Sequence, residues 1–189
     1  GPKTGELIDL YGGVQDLKDK VIKTVGEPDH RFKEDALRLL RAVRFATQLG
    51  FTINPETERG MVKNVGLLKE ISMERIRDEF TKILMSDNPM FGLNLSHKLG
   101  ILPYILPELE EGIGIEQNGD HIYPVWDHIL RVIQHTADKK WPLHIRLAAL
   151  MHDIAKPRTR RWSDENKDWT FYGHEAVGER IAGQILKRL

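Results

Sequence analysis

Apolar residues along this chain recur mostly at three-to-four spacing, the period of helices rather than of strands. From 32 to 49 the positions Phe32, Leu37, Leu40, Val43 and Leu49 hold that spacing and Gly50 follows as a stop, which predicts one amphipathic helix. Upstream, Leu7-Ile8-Asp9-Leu10 reads as the end of a strand, Gly12-Gly13 as a hinge, and 14–25 as a short helix. Asn54-Pro55-Glu56 opens another helix. Ser72 begins the next as an N-cap, with Arg75 where a capping box would carry an acid, and Asp87-Asn88-Pro89 closes it. Residues 90–109 continue helical around Gly100 and Pro103, and 112–124 form a glycine-rich connector without a clear period. Helices follow over 125–137 and 143–155, separated by the Trp141-Pro142 start signal and ended by Pro157, and a last one begins at His174. Between them, aromatics flank Ser163-Asp164-Glu165-Asn166-Lys167 in the manner of a small hairpin. The pattern predicts an all-α fold with a minor β element, organised as units 1–86, 87–120 and 121–189, without internal repeats.

Composition narrows the chemistry. The chain has 189 residues, 40% of them hydrophobic, enough for one sizeable core or two small ones. Lys plus Arg and Asp plus Glu stand at 28 each, so any RNA contact has to come from a local patch. With no cysteine, disulfides, thiolate nucleophiles and Cys-type zinc sites are excluded, and metal ligands must be His, Asp or Glu. No apolar run reaches membrane-spanning length and no signal-peptide core is present, so a cytoplasmic chain is expected. The leading Gly-Pro and the lack of a starting Met suggest a piece excised from something longer.

Two constellations carry candidate chemistry. Asp35 and Arg38 lie three apart on the predicted helix, where an acceptor can converge with a forked donor. Adenine and cytosine present an amino donor beside a ring-nitrogen acceptor, which such a pair would suit, whereas uracil and guanine present the reverse. Spacing alone also describes an ordinary surface ion pair worth roughly 0.2–0.5 kcal/mol. The second is the adjacent His152-Asp153, about 100° apart if helical; His128 lies on the face shared by Val125 and Val132, and His174 opens the last helix. Three helices could thus bring nitrogen and oxygen ligands to one point, and a mixed His/Asp set suits Mn, Fe, Ni or Mg rather than structural zinc. The competing reading is a set of satisfied core histidines. His135, seven residues after His128, is a rival ligand or a packing histidine, as His121 is a further one to weigh. Trp162 and Trp169, beside Arg158, Arg160 and Arg161, are hairpin packing or a platform for an unpaired base.

The run Arg31-Phe32-Lys33-Glu34-Asp35-Ala36-Leu37-Arg38-Leu39-Leu40-Arg41-Ala42-Val43-Arg44-Phe45-Ala46, with Ile8 to Leu17 upstream and Ile71-Ser72-Met73-Glu74-Arg75-Ile76 downstream, resembles the neck of bacterial-type (class II) CCA-adding tRNA nucleotidyltransferases and their poly(A) polymerase relatives. The resemblance implies that 1–86 is a neck carrying the nucleotide-selecting helix. It further implies that Glu34, Asp35 and Arg38 match the family's EDxxR element, in which Asp and Arg act as a protein template for CTP and ATP, and that Arg41 would assist. Arg31, Lys33, Arg41 and Arg44 would then form a phosphate-facing patch, or else a solvated face. It implies as partners the tRNA 3′ end, CTP and ATP, and no membrane. The family's catalytic head, with its Gly-Ser motif and magnesium-binding carboxylates, has no counterpart in this sequence, so no polymerising activity is expected from this piece alone.

His128, then His152-Asp153, then Gly173-His174-Glu175 resembles the HD superfamily of metal-dependent phosphohydrolases. The implied fold is a helical neck and body followed by a helical HD-like domain with a small hairpin. The implied roles are metal ligation by His128, His152, Asp153 and His174 and charge neutralisation by Lys156. The tetrad's last Asp is expected beyond the chain's end, with Asp164 and Asp168 misplaced in the hairpin, so the site is expected to be incomplete. Besides nucleotide addition, two alternatives stay open: hydrolysis of a 2′-phosphate or 2′,3′-cyclic phosphate at the HD site, and a non-catalytic tRNA-binding scaffold.

Overall fold

A computed structural model describes residues 5, 7–117 and 122–189. Its helices are α1 (Gly13–Lys18), α2 (Pro28–Glu34), α3 (Leu37–Leu49), α4 (Pro55–Asn64), α5 (Met73–Leu84), α6 (Pro89–Lys98), α7 (Pro107–Glu110), α8 (Val125–Asp138), α9 (Leu143–Met151), α10 (Lys156–Thr159) and α11 (His174–Arg188). Among the described residues two minimal sheets accompany them, a parallel pair β1 (Val21–Ile22) with β2 (Thr52–Ile53) and an antiparallel hairpin β3 (Arg161–Ser163) with β4 (Asp168–Thr170). The fold is all-α, as the periodicity predicts, and the hairpin pairs Trp162 with Trp169.

Local chemistry sets the boundaries. Asn54 caps α4 by accepting from the N–H groups of Glu56 and Thr57 at 3.0 and 3.2 Å, with Pro55 in the first turn, where its missing N–H costs nothing. Gly50 ends α3 in the left-handed region, at φ 66°, and its N–H returns to the Ala46 carbonyl. The predicted helix over 14–25 stops at Lys18, because Val21-Ile22 is taken as a strand by Thr52-Ile53.

The predicted helix over 32–49 is two helices. At Asp35 the backbone is extended, φ −156° and ψ 103°, and the side chain accepts from the Leu37 N–H at 3.1 Å. Aspartate competes for backbone N–H groups in this way and favours the start of a helix over its interior. Phe32, Leu37, Leu39, Leu40, Val43 and Ala46 nevertheless all reach the core. Full burial of each large side chain is worth roughly 1.5–3 kcal/mol, which outweighs the cost of the break.

One contiguous apolar cluster runs from Phe32 to Ile185. Helix α6 joins its two ends by packing against both α3 and α8. The approach is close at Gly92, where a Cβ would stand 2.6 Å from Ile83 Cγ2 and 2.7 Å from Thr47 Oγ1. Arg146, 2% exposed, locks α9 onto the end of α5, donating to the carbonyls of Leu84, Ser86 and Trp141 at 2.6, 2.8 and 2.9 Å. The glycine-rich connector folds back on α8, whose Val125 and Trp126 N–H groups donate to the Ile115 and Gly112 carbonyls. No helix among the described residues is long and apolar enough to cross a membrane.

Candidate functional site

The α2–α3 break separates the two predicted base-reading residues. Asp35 is not on a helix face shared with Arg38. Its Oδ2 is paired with Arg75 Nη2 at 2.9 Å, and it lines a cavity with Lys33, Glu70 and Arg75. Arg38 lies on the other side of Phe32, which borders both cavities. Its Nη1 donates to Glu34 Oε2 at 2.6 Å and to the Arg31 carbonyl at 2.8 Å, so Glu34 braces Arg38 as well as Arg31. The cavity of about 350 Å³ in front of Arg38 is also lined by Lys23, Arg31, Arg41 and Phe45. Four cations around one hollow suit an anion. The expected phosphate-facing patch is therefore rearranged. Lys33 faces the Asp35 cavity, and Arg44 is withdrawn into a pair with the buried Glu79 at 2.7 Å, its guanidinium 4.1 Å from the Phe45 ring. Arg75, overlooked in the pattern, had one signal: it occupies the capping-box position reserved for an acid, and it serves Asp35 instead.

The second constellation forms at the end of α9. That helix stops at Met151, so His152 and Asp153 sit on the following turn rather than on the helix itself. His128 reaches them from α8. Nε2 of His128 lies 3.1 Å from Nε2 of His152 and 3.4 Å from Oδ2 of Asp153, and His152 Nε2 lies 3.2 Å from that oxygen. Neighbouring ligands of an octahedral ion with bonds of ~2.1 Å are separated by about 3 Å, so these atoms fit one small divalent cation. His174 is outside this compact group. Its Nε2 stands 3.8 Å from the other carboxylate oxygen, Oδ1.

The histidine tautomers suit ligation. Nδ1 of His152 faces the Ala149 carbonyl at 2.7 Å and Nδ1 of His174 faces the Phe171 carbonyl at 2.8 Å. A carbonyl only accepts, so each Nδ1 donates to it, which leaves Nε2 as the ring nitrogen on the Asp153 side, able to donate to the carboxylate or, once deprotonated, to ligate a cation. Burial opposes charge on Asp153, but hydrogen bonds from His152 and Lys156 outweigh it and hold the carboxyl well below its usual range. Burial likewise works against the His152 imidazolium, and the Asp153 hydrogen bond and charge overcome it, raising that group. Lys156, 6% exposed, donates to Asp153 Oδ2 at 2.8 Å and to Gln117 Oε1 at 2.6 Å. Gln117, from the connector, carries no sequence signal; its amide also donates to the Tyr123 carbonyl.

The remaining expectations separate cleanly. His135 is a packing residue, edge-on to Trp141 with ring centroids 5.9 Å apart. His121 lies outside the described residues. Asp164 is exposed on the hairpin and accepts from Trp162 Nε1, and Asp168 accepts from the Trp169 N–H, so both belong to the hairpin. The face of Trp169 is already covered by Arg160 at 3.6 Å and Trp162 stands edge-on to it, while Arg158 is engaged in a two-pronged pair with Glu111.

The chain thus joins a helical unit with a cationic hollow to a His/Asp cluster spaced as the ligands of a cation would be. Residues 50–113 match the family described as "Probable RNA and SrmB- binding site of polymerase A", and residues 125–189 match the HD domain. The chain is 37% identical to the A-adding tRNA nucleotidyltransferase of Deinococcus radiodurans over 97% of its own length and 43% of the relative's. It is 36% identical to the CC-adding tRNA nucleotidyltransferase of Thermus thermophilus, over 97% of this chain and 44% of that one. A crystal structure of a tRNA nucleotidyltransferase complexed with a primer tRNA and an incoming ATP analog superposes with a TM-score of 0.61 at 26% identity, covering 98% of this chain and 51% of that one. The chain belongs to the class II CCA-adding tRNA nucleotidyltransferase and poly(A) polymerase family. It spans less than half the length of these two curated relatives.

Proposed function

We propose that the protein serves tRNA 3′-end synthesis, adding C, A or CCA, and that this chain supplies the selection of CTP and ATP. Asp35 and Arg38 read the base, with Glu34 bracing Arg38 and Arg41 contributing to the anion-attracting hollow. The observation that carries this reading is the state of Arg38. Among the described residues only its Nη1 is engaged, so Nε and Nη2 are available to donate to a ring nitrogen, while the Glu34 and Arg31 contacts fix the guanidinium in place. Asp35 accepts the Leu37 N–H through Oδ1 and Arg75 through Oδ2 and retains lone pairs for an exocyclic amino group. A base bridging the two has to draw Asp35 towards Arg38, so Arg75 is a competitor for the template. The division into a neck (1–86), body helices with connector (87–120) and an HD-like unit (121–189) is part of the same proposal, as is its cytoplasmic setting. Magnesium would act with the catalytic head of the whole protein, on carboxylates outside this chain. In the whole protein, Arg38→Ala should lower the preference for CTP and ATP over UTP and GTP by about tenfold or more and change tRNA affinity less. Undiminished discrimination sinks the template assignment.

A second reading is favoured by the His128–His152–Asp153 geometry: a divalent cation, Mn, Ni, Fe or Mg, held there for hydrolysis of a phosphate monoester or cyclic phosphate. Such a cation supplies a Lewis acid and an activated water. The chain's own groups hold it through two imidazole nitrogens and one carboxylate, with His174 alongside, and place the Lys156 ammonium against the phosphate charge. Cobalt(II) titration followed by visible absorbance tests it, with a band expected in the parent and lost in Asp153→Asn. No band in the parent removes this reading and leaves a scaffold role for the HD-like unit.

A further inference from the structure

Glu79, on α5 where it packs against α3, is a buried carboxylate with no part in base selection as described above. It is 6% exposed and has a cation at each oxygen: Arg44 Nε stands 2.7 Å from Oε2, and Lys82 Nζ stands 3.1 Å from Oε1. The Arg44 contact is a poor structural bond. Arg44 Nε and Glu79 Oε2 are both buried and, among the described residues, neither completes a hydrogen bond, so their attraction is one of charge without direction. A buried ion pair of that kind gains little over the desolvation of its partners and is a weak anchor for packing. What it does fix is the position of Arg44.

That position is just outside the cationic hollow. Arg38, Arg41 and Phe45 follow one another at three- and four-residue spacing along α3, and all three line the hollow. Arg44 comes one turn after Arg41, a spacing that sets side-chain roots about 5–6 Å apart, yet it is not in the lining. Its guanidinium stops 4.1 Å from the centroid of Phe45, against the ring that forms the wall. Four cations, Lys23, Arg31, Arg38 and Arg41, already face the hollow, and Glu34 braces two of them. A fifth would strengthen the pull on any phosphate, whatever base it carried. A phosphate seated against Arg38 would also take the donors that a base edge needs, and binding of that kind discriminates nothing.

We propose that Glu79 is a positioning residue that determines specificity: it withholds Arg44 from the hollow, so that occupancy depends on the base contacts of Asp35 and Arg38 more than on phosphate charge. The specificity half rests on the base-reading role proposed for Asp35 and Arg38, and the withholding of Arg44 does not. Isothermal titration of the chain with tripolyphosphate, CTP and UTP tests both. In Glu79→Gln, Arg44 loses its counter-charge while Lys82 remains, and tripolyphosphate should bind about fivefold or more tighter than to the parent. The preference for CTP over UTP should fall by about threefold or more in the same variant. The double variant Glu79→Gln/Arg44→Gln should return tripolyphosphate to within about twofold of the parent, a rescue that a merely structural role of Glu79 would not give. Arg44→Gln, which leaves Glu79 its Lys82 partner, tests the same point without altering the carboxylate. It should change tripolyphosphate affinity by less than about twofold, whereas Arg41→Gln should lower it about fivefold. Parental tripolyphosphate affinity in Glu79→Gln, a gain that persists in the double variant, or a loss in Arg44→Gln matching that in Arg41→Gln overturns the proposal. Tighter tripolyphosphate with an unchanged CTP preference overturns the specificity role. A parent that does not distinguish CTP from UTP removes the base-reading role and specificity with it, and the tripolyphosphate results then decide the withholding of Arg44 alone.

Discussion

Removing both partners of the buried Asp153–Lys156 pair should cost less than the sum of the two single losses. The carboxylate is 4% and the ammonium-bearing residue 6% exposed, and they meet at 2.8 Å. At an effective dielectric of about 20 their gross attraction is ~6 kcal/mol, most of it offset by the desolvation of two ions. Breaking such a pair from one side typically costs about 3–5 kcal/mol, because the survivor is left charged and dry. The two sides are not equivalent. Lys156→Met leaves Asp153 with the His152 hydrogen bond as a remaining partner, so its loss should be about 2–3 kcal/mol. Asp153→Asn removes the carboxylate opposite the Lys156 ammonium and leaves it the Gln117 carbonyl oxygen and the Phe171 face, and its loss should be about 3–5 kcal/mol. The double variant should lose little more than Asp153→Asn alone, a coupling of about 2–3 kcal/mol. Urea unfolding in the presence of EDTA, followed by circular dichroism, measures all four corners of the cycle without a contribution from bound metal. Additive losses, within about 0.5 kcal/mol, would refute the pairing on which the cation site depends.

Arg146→Met should destabilise the chain by about 3 kcal/mol, since three carbonyls lose a charged donor while a buried charge is also removed; a loss under about 1 kcal/mol in urea would contradict the clamp between α5 and α9. Glu108 is held by a two-pronged bond from Arg188 at 2.7 and 2.8 Å, which outweighs burial and lowers its carboxyl from the ordinary 4.5. A carboxyl lowered on folding contributes stability above its unfolded value and loses it as pH falls through the folded one. Glu108→Gln should therefore flatten the parent's loss of stability below about pH 4.5, by about 0.5–1 kcal/mol given the half-exposed Arg188, and identical acid profiles would show that the bond does not hold α11 to α7.

The helices were legible wherever burial on one face imposes the helical period, as at Val125, Ile129, Val132 and Ile133 of α8, and the hairpin was legible from its aromatic flanks. The break at Asp35 was not, because apolar residues on both sides reach the same core and the spacing survives the interruption. Two-residue strands such as Val21-Ile22 carry no period to read. The cation cluster was legible in its residue types, since His128, His152 and Asp153 stand adjacent to apolar positions where an unpaired polar group is costly. Its geometry was not. That α9 ends one residue before His152, and that Gln117 reaches Lys156 across 39 residues, are outcomes of packing between segments. The pair at 35 and 38 shows the same limit. Residue identity at 35 and 38 suggested donor and acceptor, while the rival contacts to Arg75 and Glu34 come from elsewhere in the fold.

Whether Arg38 and Asp35 distinguish bases by donor and acceptor pattern is tested by a nucleotide titration of the ¹⁵N-labelled chain. CTP, ATP, UTP and GTP would be added in turn while the Arg38 Nε–H and the Leu37 amide, which reports the Asp35 cap, are followed by NMR. CTP and ATP should move both signals, and UTP and GTP, which share the triphosphate, should move neither. Equal shifts with all four nucleotides would mean that the hollow binds only phosphate and that base selection lies elsewhere.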